Sequence, residues 1–495
     1  MCKVTVYTNA EIYTLDPENP RVDSLAVGCG EIVDVGVSLE NKYLGAKVID
    51  LKGATVTPGF IDTHLHLKWL ALHKQWIDLS NVKSLEELKN ALKKSSGEWV
   101  IGRGFNEKKF PEVKLPTRAD LDEAVPDKPV LAIRVCGHVG VANTILLKKV
   151  GLWDKPKTVD GVEVNSEGKP TGVLKEGALE YVLSKIPKPP LELYVKFMEE
   201  TLKELVAKGL TTVASMNVDP LEFYVLQHSK IPLRVRVFFD IKYFGLLSKL
   251  KIRGCFGSEA LRISGVKIIG DGSFGGRTAA LRRNYVGTES KGKLLISHEF
   301  LEKVVREAKQ LNMLVAVHAI GDRAIEEVLK IDSKLLENVR IEHCSLTPPD
   351  IVEELAERKV FAISVQPRFR ISDKWLPKVI GEDSKWAYLF YTLSKKGILV
   401  SFSSDAPVEP YDPLINIEAA ISEEGVGERV PLSEALKMYT KNGCLALNEK
   451  NRGVLKKGYR ADFVILDKNI FKKKPSEAKV VATVIEGDIV YGKAL

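Results

Sequence analysis

The sequence predicts an α/β fold: a (β/α)8 TIM barrel, with a composite β-sandwich domain built from both termini and an insertion after the first barrel strand. Three observations predict it. Helix-then-strand units repeat from about residue 190, short β-branched runs occupy both ends of the chain, and 495 residues exceed what one hydrophobic core usually holds.

The first run of strands lies in KVTVY, EIYTL, SLAVG and EIVDVG, punctuated by Gly, Pro and Asn, and reads as a small antiparallel sheet. ADFVILD and VVATVIEGDIVYG near the other end have the same texture. Neither piece alone makes a comfortable core, so residues 1–57 and 450–495 are expected to form one sheet domain. GFIDTHLHL is the expected first barrel strand, within 58–68. Residues 69–189 are mixed in character, with SLEELKNALKK, WVIGRGFNE and PTGVLKEGALEYVLSKI, and read as an insertion covering the catalytic face.

The barrel resumes over 190–449. ELYVKFMEETLKELVAKG has helical periodicity and runs into LTTVASM; FLEKVVREAKQLN runs into MLVAVHAIG; PDIVEELAERK runs into VFAISVQP. KWAYLFYTLSKKG reads as one more helix before ILVSFSSDAPV. Apolar strands buried on both faces argue for a parallel sheet, and PLRVRVFF, RISGVKIIGDG and NVRIEHCS bring the count to about eight.

Composition narrows the function classes. With 45% hydrophobic and 28% charged residues the chain reads as a folded soluble protein. The first twenty residues lack a basic start followed by an apolar run, and no apolar stretch reaches membrane-spanning length, so a cytoplasmic protein without a membrane partner is expected. The six cysteines are scattered without paired spacing, which argues against a disulfide framework or a zinc finger. The net charge of +8 does not imply nucleic acid, because Lys and Glu alternate along helices such as EELKNALKK, the pattern of a solvated face.

His64 and His66 stand two apart on a strand, so both imidazoles point to one side and start a chelating site. On that pair alone, a metal site and two hydrogen-bonded histidines are equally good readings. His318 and His343, two of the remaining six histidines, each follow an apolar strand-like run, as does Asp405. Strand C-termini are where catalytic groups converge in a TIM barrel. Imidazole and carboxylate ligands suit zinc, and also iron, manganese or nickel.

TPGFIDTHLHL, the lysine in GVKIIGDGSFGGRTAAL, VHAIGDRA, RIEHC and SSDAPV together resemble the amidohydrolase superfamily, most closely the YtcJ-like metal-dependent hydrolases of the amidohydrolase 3 group. The resemblance implies metal ligands at His64, His66, Lys267, His318, His343 and Asp405. In many relatives the fourth-strand lysine is carboxylated and bridges two metals. A carbamate would supply negative oxygens where an ammonium would repel the ions. The other reading makes Lys267 a substrate-binding ammonium or a partner of Asp271. Candidate substrate contacts are His138, equally readable as a structural histidine, and Arg277, equally readable as a surface residue. Glu176 has the same ambiguity, and Asp322 reads as a helix cap.

The implied reaction is hydrolysis of an amide-like bond in a small molecule, using one or two divalent metal ions, zinc first, with Asp405 carrying the proton from water to the leaving nitrogen. An ester, lactone or deaminated ring is the alternative on the same scaffold, and a non-catalytic regulatory homologue lies outside enzymes altogether. A homo-oligomer is compatible with all of these.

Overall fold

The computed structural model describes residues 3–95, 97–135, 137 and 139–493. Eight strands form one sheet in which each pairs in parallel with the next: β1 (Phe60–Leu65), β2 (Leu210–Val218), β3 (Arg234–Asp240), β4 (Leu261–Ile269), β5 (Leu314–Ala319), β6 (Val339–His343), β7 (Ala362–Val365) and β8 (Val400–Phe402). Just past the last strand, Asp405 N donates to the His64 carbonyl and His66 N to the Ala406 carbonyl, each at 2.8 Å. Thr63 Oγ1 donates to the Phe402 carbonyl at 3.1 Å. These bonds draw β8 against β1 and nearly close the TIM barrel.

Every residue of β6, β7 and β8 is buried, and polar residues, Arg340, Glu342, Ser364 and Ser401, alternate with apolar ones along them, so both faces of these strands are covered. The helices are amphipathic for the complementary reason. In His298–Gln310 the buried residues are Leu301, Val304, Val305 and Ala308, one stripe of the helix, and the Ser297 side chain accepts from Phe300 N at the start.

One expected helix is broken. KWAYLFYTLSKKG, residues 385–397, holds the end of a short turn, Gly381–Trp386, and a separate helix, Phe390–Lys395. Between them Tyr388 N donates to the Ser345 carbonyl at 2.8 Å, and the Trp386 carbonyl accepts from Thr347 N at 3.0 Å. Pairing with the segment after β6 takes the backbone groups that a continuous helix would have used.

The two ends of the chain meet in a six-stranded sheet, where Phe463–Leu466 pairs antiparallel with Thr55–Pro58. A four-stranded sheet containing Thr5–Thr8 packs on it, and their shared core includes Tyr7, Ile12, Val56, Phe463, Ile465 and Val484. The sheets are mixed rather than antiparallel: Thr5–Thr8 runs parallel to Lys47–Asp50, and Glu11 and Ile12 pair in parallel with Thr55 and Val56. Some forty residues separate these partners, enough chain for the crossover that parallel pairing needs.

Trp69–Phe197 is a compact unit of its own. Its six-stranded mixed sheet is covered on both faces, since alternate residues of one strand, such as Val130 and Ala132 against Leu131 and Ile133, enter two different apolar clusters. Cys29 is disulfide-bonded, against the expectation from cysteine spacing, while Cys255, Cys344 and Cys444 carry free thiols. Irregular spacing argues against a framework of several bridges but says nothing about a single one.

Among the described residues no helix is long and apolar enough to cross a membrane.

Candidate metal centre

His64, in β1, and His66, just after it, both turn toward Asp405. His64 Nε2 lies 3.4 Å and His66 Nε2 3.2 Å from Asp405 Oδ1. The ligand atoms of these three residues all fall within 4.8 Å of one another. The other ring nitrogen of each histidine is taken. His64 Nδ1 lies 2.6 Å from Glu342 Oε2, and His66 Nδ1 lies 3.3 Å from the Met216 carbonyl. Both acceptors require a proton on Nδ1, so the Nε2 lone pairs face Asp405. Burial, then the nearby Lys267, lower the His64 pKa to about 4 despite Glu342, which keeps this imidazole neutral and able to bind a cation.

His343 and His318 continue the row. The His343 ring is 5.0 Å from His64 and 4.5 Å from His318, centroid to centroid. His343 Nδ1 donates to Gln366 Oε1 at 2.8 Å, and Gln366 is oriented by donating through Nε2 to Ser403 Oγ at 2.9 Å. His318 differs: its Nε2 donates to the Gly272 carbonyl at 3.0 Å, leaving Nδ1 as the free lone pair. His343 and Asp405 both have left-handed backbones, φ 70° and 57°, a conformation that non-glycine residues hold only where the surroundings impose it. At His343 the left-handed turn breaks the strand alternation, so Glu342 and His343, though adjacent, both reach the site.

Lys267, in β4, is 1% exposed, and its Nζ has no hydrogen-bond partner among the described residues. Burial lowers its pKa to about 8, against the opposing pull of Glu342 and Asp405. The Lys267 to Asp271 hydrogen bond considered from sequence is therefore not made. Asp271 is committed elsewhere, accepting from Ala280 N, Ile320 N and Gly321 N at 2.9, 3.0 and 2.8 Å. These bonds tie the loop after β4 to the end of β5. A Cβ on Gly321 would sit 2.0 Å from the Ala280 carbonyl, so only glycine permits this approach.

Four residues of the site went unnoticed in the sequence. Glu342 is fully buried, holds His64, and accepts from Arg340 Nε at 2.6 Å; Arg340 in turn donates to the Thr63 carbonyl at 2.9 Å. Burial would raise the Glu342 carboxyl, but Arg340 and His64 hold it well below the usual range. Gln366 sets His343. Asp62 accepts from His64 N and Ser404 N at 3.1 and 3.2 Å, pinning β1 to the segment that carries Asp405, and burial pushes its pKa up to about 7. The available signals were IDTH and RIEH, each with an acid one or two positions before a histidine.

Arg277 lies on the exposed loop after β4 and donates to the Val286 carbonyl at 3.4 Å. His138 lies outside the described residues. Glu176 sits at the start of the helix Gly177–Lys185 in the inserted unit. Asp322 is not a cap: Gly321 holds that position, and Asp322 Oδ1 accepts from Arg282 N at 3.0 Å. Cys344 is buried core, as expected.

A barrel whose strand ends converge four imidazoles, a carboxylate and an unpartnered buried lysine defines a hydrolase with a donor set suited to a divalent metal. The chain belongs to the amidohydrolase family, whose model matches residues 47–491. It is 32% identical to the putative amidohydrolase YtcJ of Bacillus subtilis over 98% of both chains. It is 26% identical to the N-substituted formamide deformylase of Arthrobacter pascens over 98% of this chain and 97% of that one. The structure of an uncharacterised metal-dependent hydrolase from Pyrococcus furiosus superposes with a TM-score of 0.80 at 33% identity, covering 94% of this chain and 99% of that one.

Proposed function

We propose that this protein hydrolyses a carbon–nitrogen bond, an amide, of a small molecule with one or two divalent ions, zinc first, held by His64, His66, Lys267, His318, His343 and Asp405. The observation that carries the reading is the convergence of His64 Nε2, His66 Nε2 and Asp405 while each imidazole's second nitrogen is occupied. Free lone pairs aimed at one point fit a cation and serve no packing purpose. A bound divalent metal supplies Lewis acidity, lowering the pKa of water and polarising a carbonyl oxygen.

The chain's own residues supply the rest. Asp405 takes the proton of the attacking water and delivers it to the leaving nitrogen. Burial raises its carboxyl, but His66, His64 and His343 bring it well below the usual range, so it is ionised at neutral pH. Glu342 and Gln366 fix the tautomers of His64 and His343. Lys267 has the free, partly deprotonated amine that carboxylation requires: its nitrogen would bond to the carbon of CO2 and lose a proton, giving a carbamate whose oxygens would add to the donors that hold a divalent metal. Support for an amide comes from the relative named as a formamide deformylase.

The test is a panel of N-formyl, N-acyl, cyclic amide and carbamate compounds, assayed with chelator-stripped protein before and after metal is restored. Turnover of at least one class that depends on restored metal is expected. Turnover of none of these classes after metal is restored, with esters or lactones assayed beside them hydrolysed, would overturn the assignment of the bond.

A further inference from the structure

The buried arginines of the barrel differ in how much of their hydrogen-bonding capacity is used. Arg370 is saturated by carbonyls, among them Ala419 and Ala420 at 2.8 and 3.1 Å, and Arg340 by Glu342, Thr63 and Ala446. Arg368 is two residues from Arg370 in the segment that follows β7. Its only charged neighbour among the described residues is Glu409, 3.5 Å from its Nε, too long for a good hydrogen bond. Its Nε is buried without a hydrogen bond, and its two Nη groups make none to another described residue, although the side chain is one-third exposed (34%).

The place of this guanidinium is what gives it meaning. Arg368 lies two residues beyond Gln366, which holds His343, and the neighbouring Phe369 ring is 6.5 Å from the His343 ring. Glu409 lies four residues beyond Asp405. Its carboxyl is raised chiefly by burial and also by the charge of Asp405. The nearest approach of Glu409 is to Nε, and the Nη groups hydrogen-bond no other described residue, so their two-pronged edge is available. A planar fork of this kind binds carboxylates bidentately.

We propose that Arg368, steadied by Glu409, is the subsite for a carboxylate of the substrate, so that the preferred amides are anionic, of the N-acyl amino acid class. The inference rests on the hydrolase reading for the position of the scissile bond. It is tested with a matched pair, N-acetylphenylalanine and N-acetylphenethylamine, which differ by the carboxylate alone. In the metal-loaded wild type kcat/KM should favour the acid. Arg368→Met should cut that preference by about 10- to 100-fold, mainly through KM, and Arg368→Lys should restore part of it. An unchanged preference, or equal loss on both compounds as expected of a residue that merely tethers two loops, overturns the subsite.

If neither compound is hydrolysed, the amide reading fails separately and calorimetry decides the subsite. Binding of N-acetylphenylalanine by the zinc-loaded wild type that is lost in Arg368→Met supports it. Absent binding, or binding indifferent to the substitution, overturns it.

Discussion

At the N-terminal ends of the barrel strands Arg234, Arg236 and Arg452 are buried, and each is matched by acids. Arg234 meets Asp462 and Glu486 at 2.7 Å, Arg452 meets Glu449 and Glu259 at 2.5 Å, and Arg236 meets Glu449. Single donors there, Arg236 Nη2 and Arg452 Nε, make no hydrogen bond, but each guanidinium has a carboxylate partner, whereas at the C-terminal ends a whole buried cation, Lys267, has none among the described residues. Lys267 Nζ and Asp62 Oδ2 lack partners among the described residues, and the imidazoles keep one lone pair each directed inward. Charges that satisfy one another hold a structure; charges held in place with spare valence await a ligand. The same barrel thus separates a stabilising end from the one proposed above to be reactive.

Substitutions at the two ends should therefore fail differently. The largest effect is expected at the reactive end. Asp405→Asn keeps the shape but removes the base, so kcat should fall by about 10²- to 10⁴-fold while elemental analysis still finds metal. Near-normal kcat with full metal content would place the proton shuttle elsewhere. Asp271 is a poor substitute, since its carboxylate is consumed by three backbone amides.

At the matched end the loss should be in stability. Asp462→Ala leaves Arg234 buried with one acid fewer, at a cost of about 3–5 kcal/mol by denaturant titration, with unchanged metal content in the folded protein. Unaltered stability would mean that Glu486 alone suffices.

Glu342→Gln sharpens the contrast, because it removes charge from the one carboxylate at the reactive end that is fully matched. Metal affinity, measured by competition with a chromophoric chelator, should weaken about 10- to 100-fold. Unchanged affinity would reduce Glu342 to packing.

The smallest effect concerns Glu222, buried behind the start of the helix after β2, where Ser215 Oγ donates to it at 2.7 Å. Burial chiefly raises its pKa from 4.5 to about 8. Below 4.5 both folded and unfolded states carry the proton; as pH rises toward 8 only the folded state keeps it, so this stabilising contribution is lost across that window. Glu222→Gln should therefore gain about 1–3 kcal/mol on the wild type between pH 4.5 and pH 8. Parallel pH profiles for the two proteins would contradict it.

Much of the candidate site was readable in the sequence because His64, His66, His318, His343 and Asp405 lie at or just beyond the ends of apolar runs. Lys267, inside β4, was reached only through the family resemblance. What could not be read was partnership across the barrel. His64 and Glu342 are 278 residues apart, and nothing local says that β1 and β6 side chains touch at 2.6 Å. Arg368 was hidden for a similar reason: its meaning lies in the hydrogen bonds it does not make. The broken helix before β8 shows the converse, a local pattern overridden by backbone pairing with the segment after β6.

The central claim is that the histidine cluster holds the ion on which turnover depends. Zinc titrated into chelator-stripped protein, with hydrolysis of an N-formyl amine followed beside bound metal, tests it most directly. Activity should rise in step with occupancy and saturate at one or two equivalents, and the His64→Ala, His66→Ala double variant should remain folded yet bind little zinc. Full zinc occupancy in that variant, or turnover indifferent to zinc in the wild type, would contradict it.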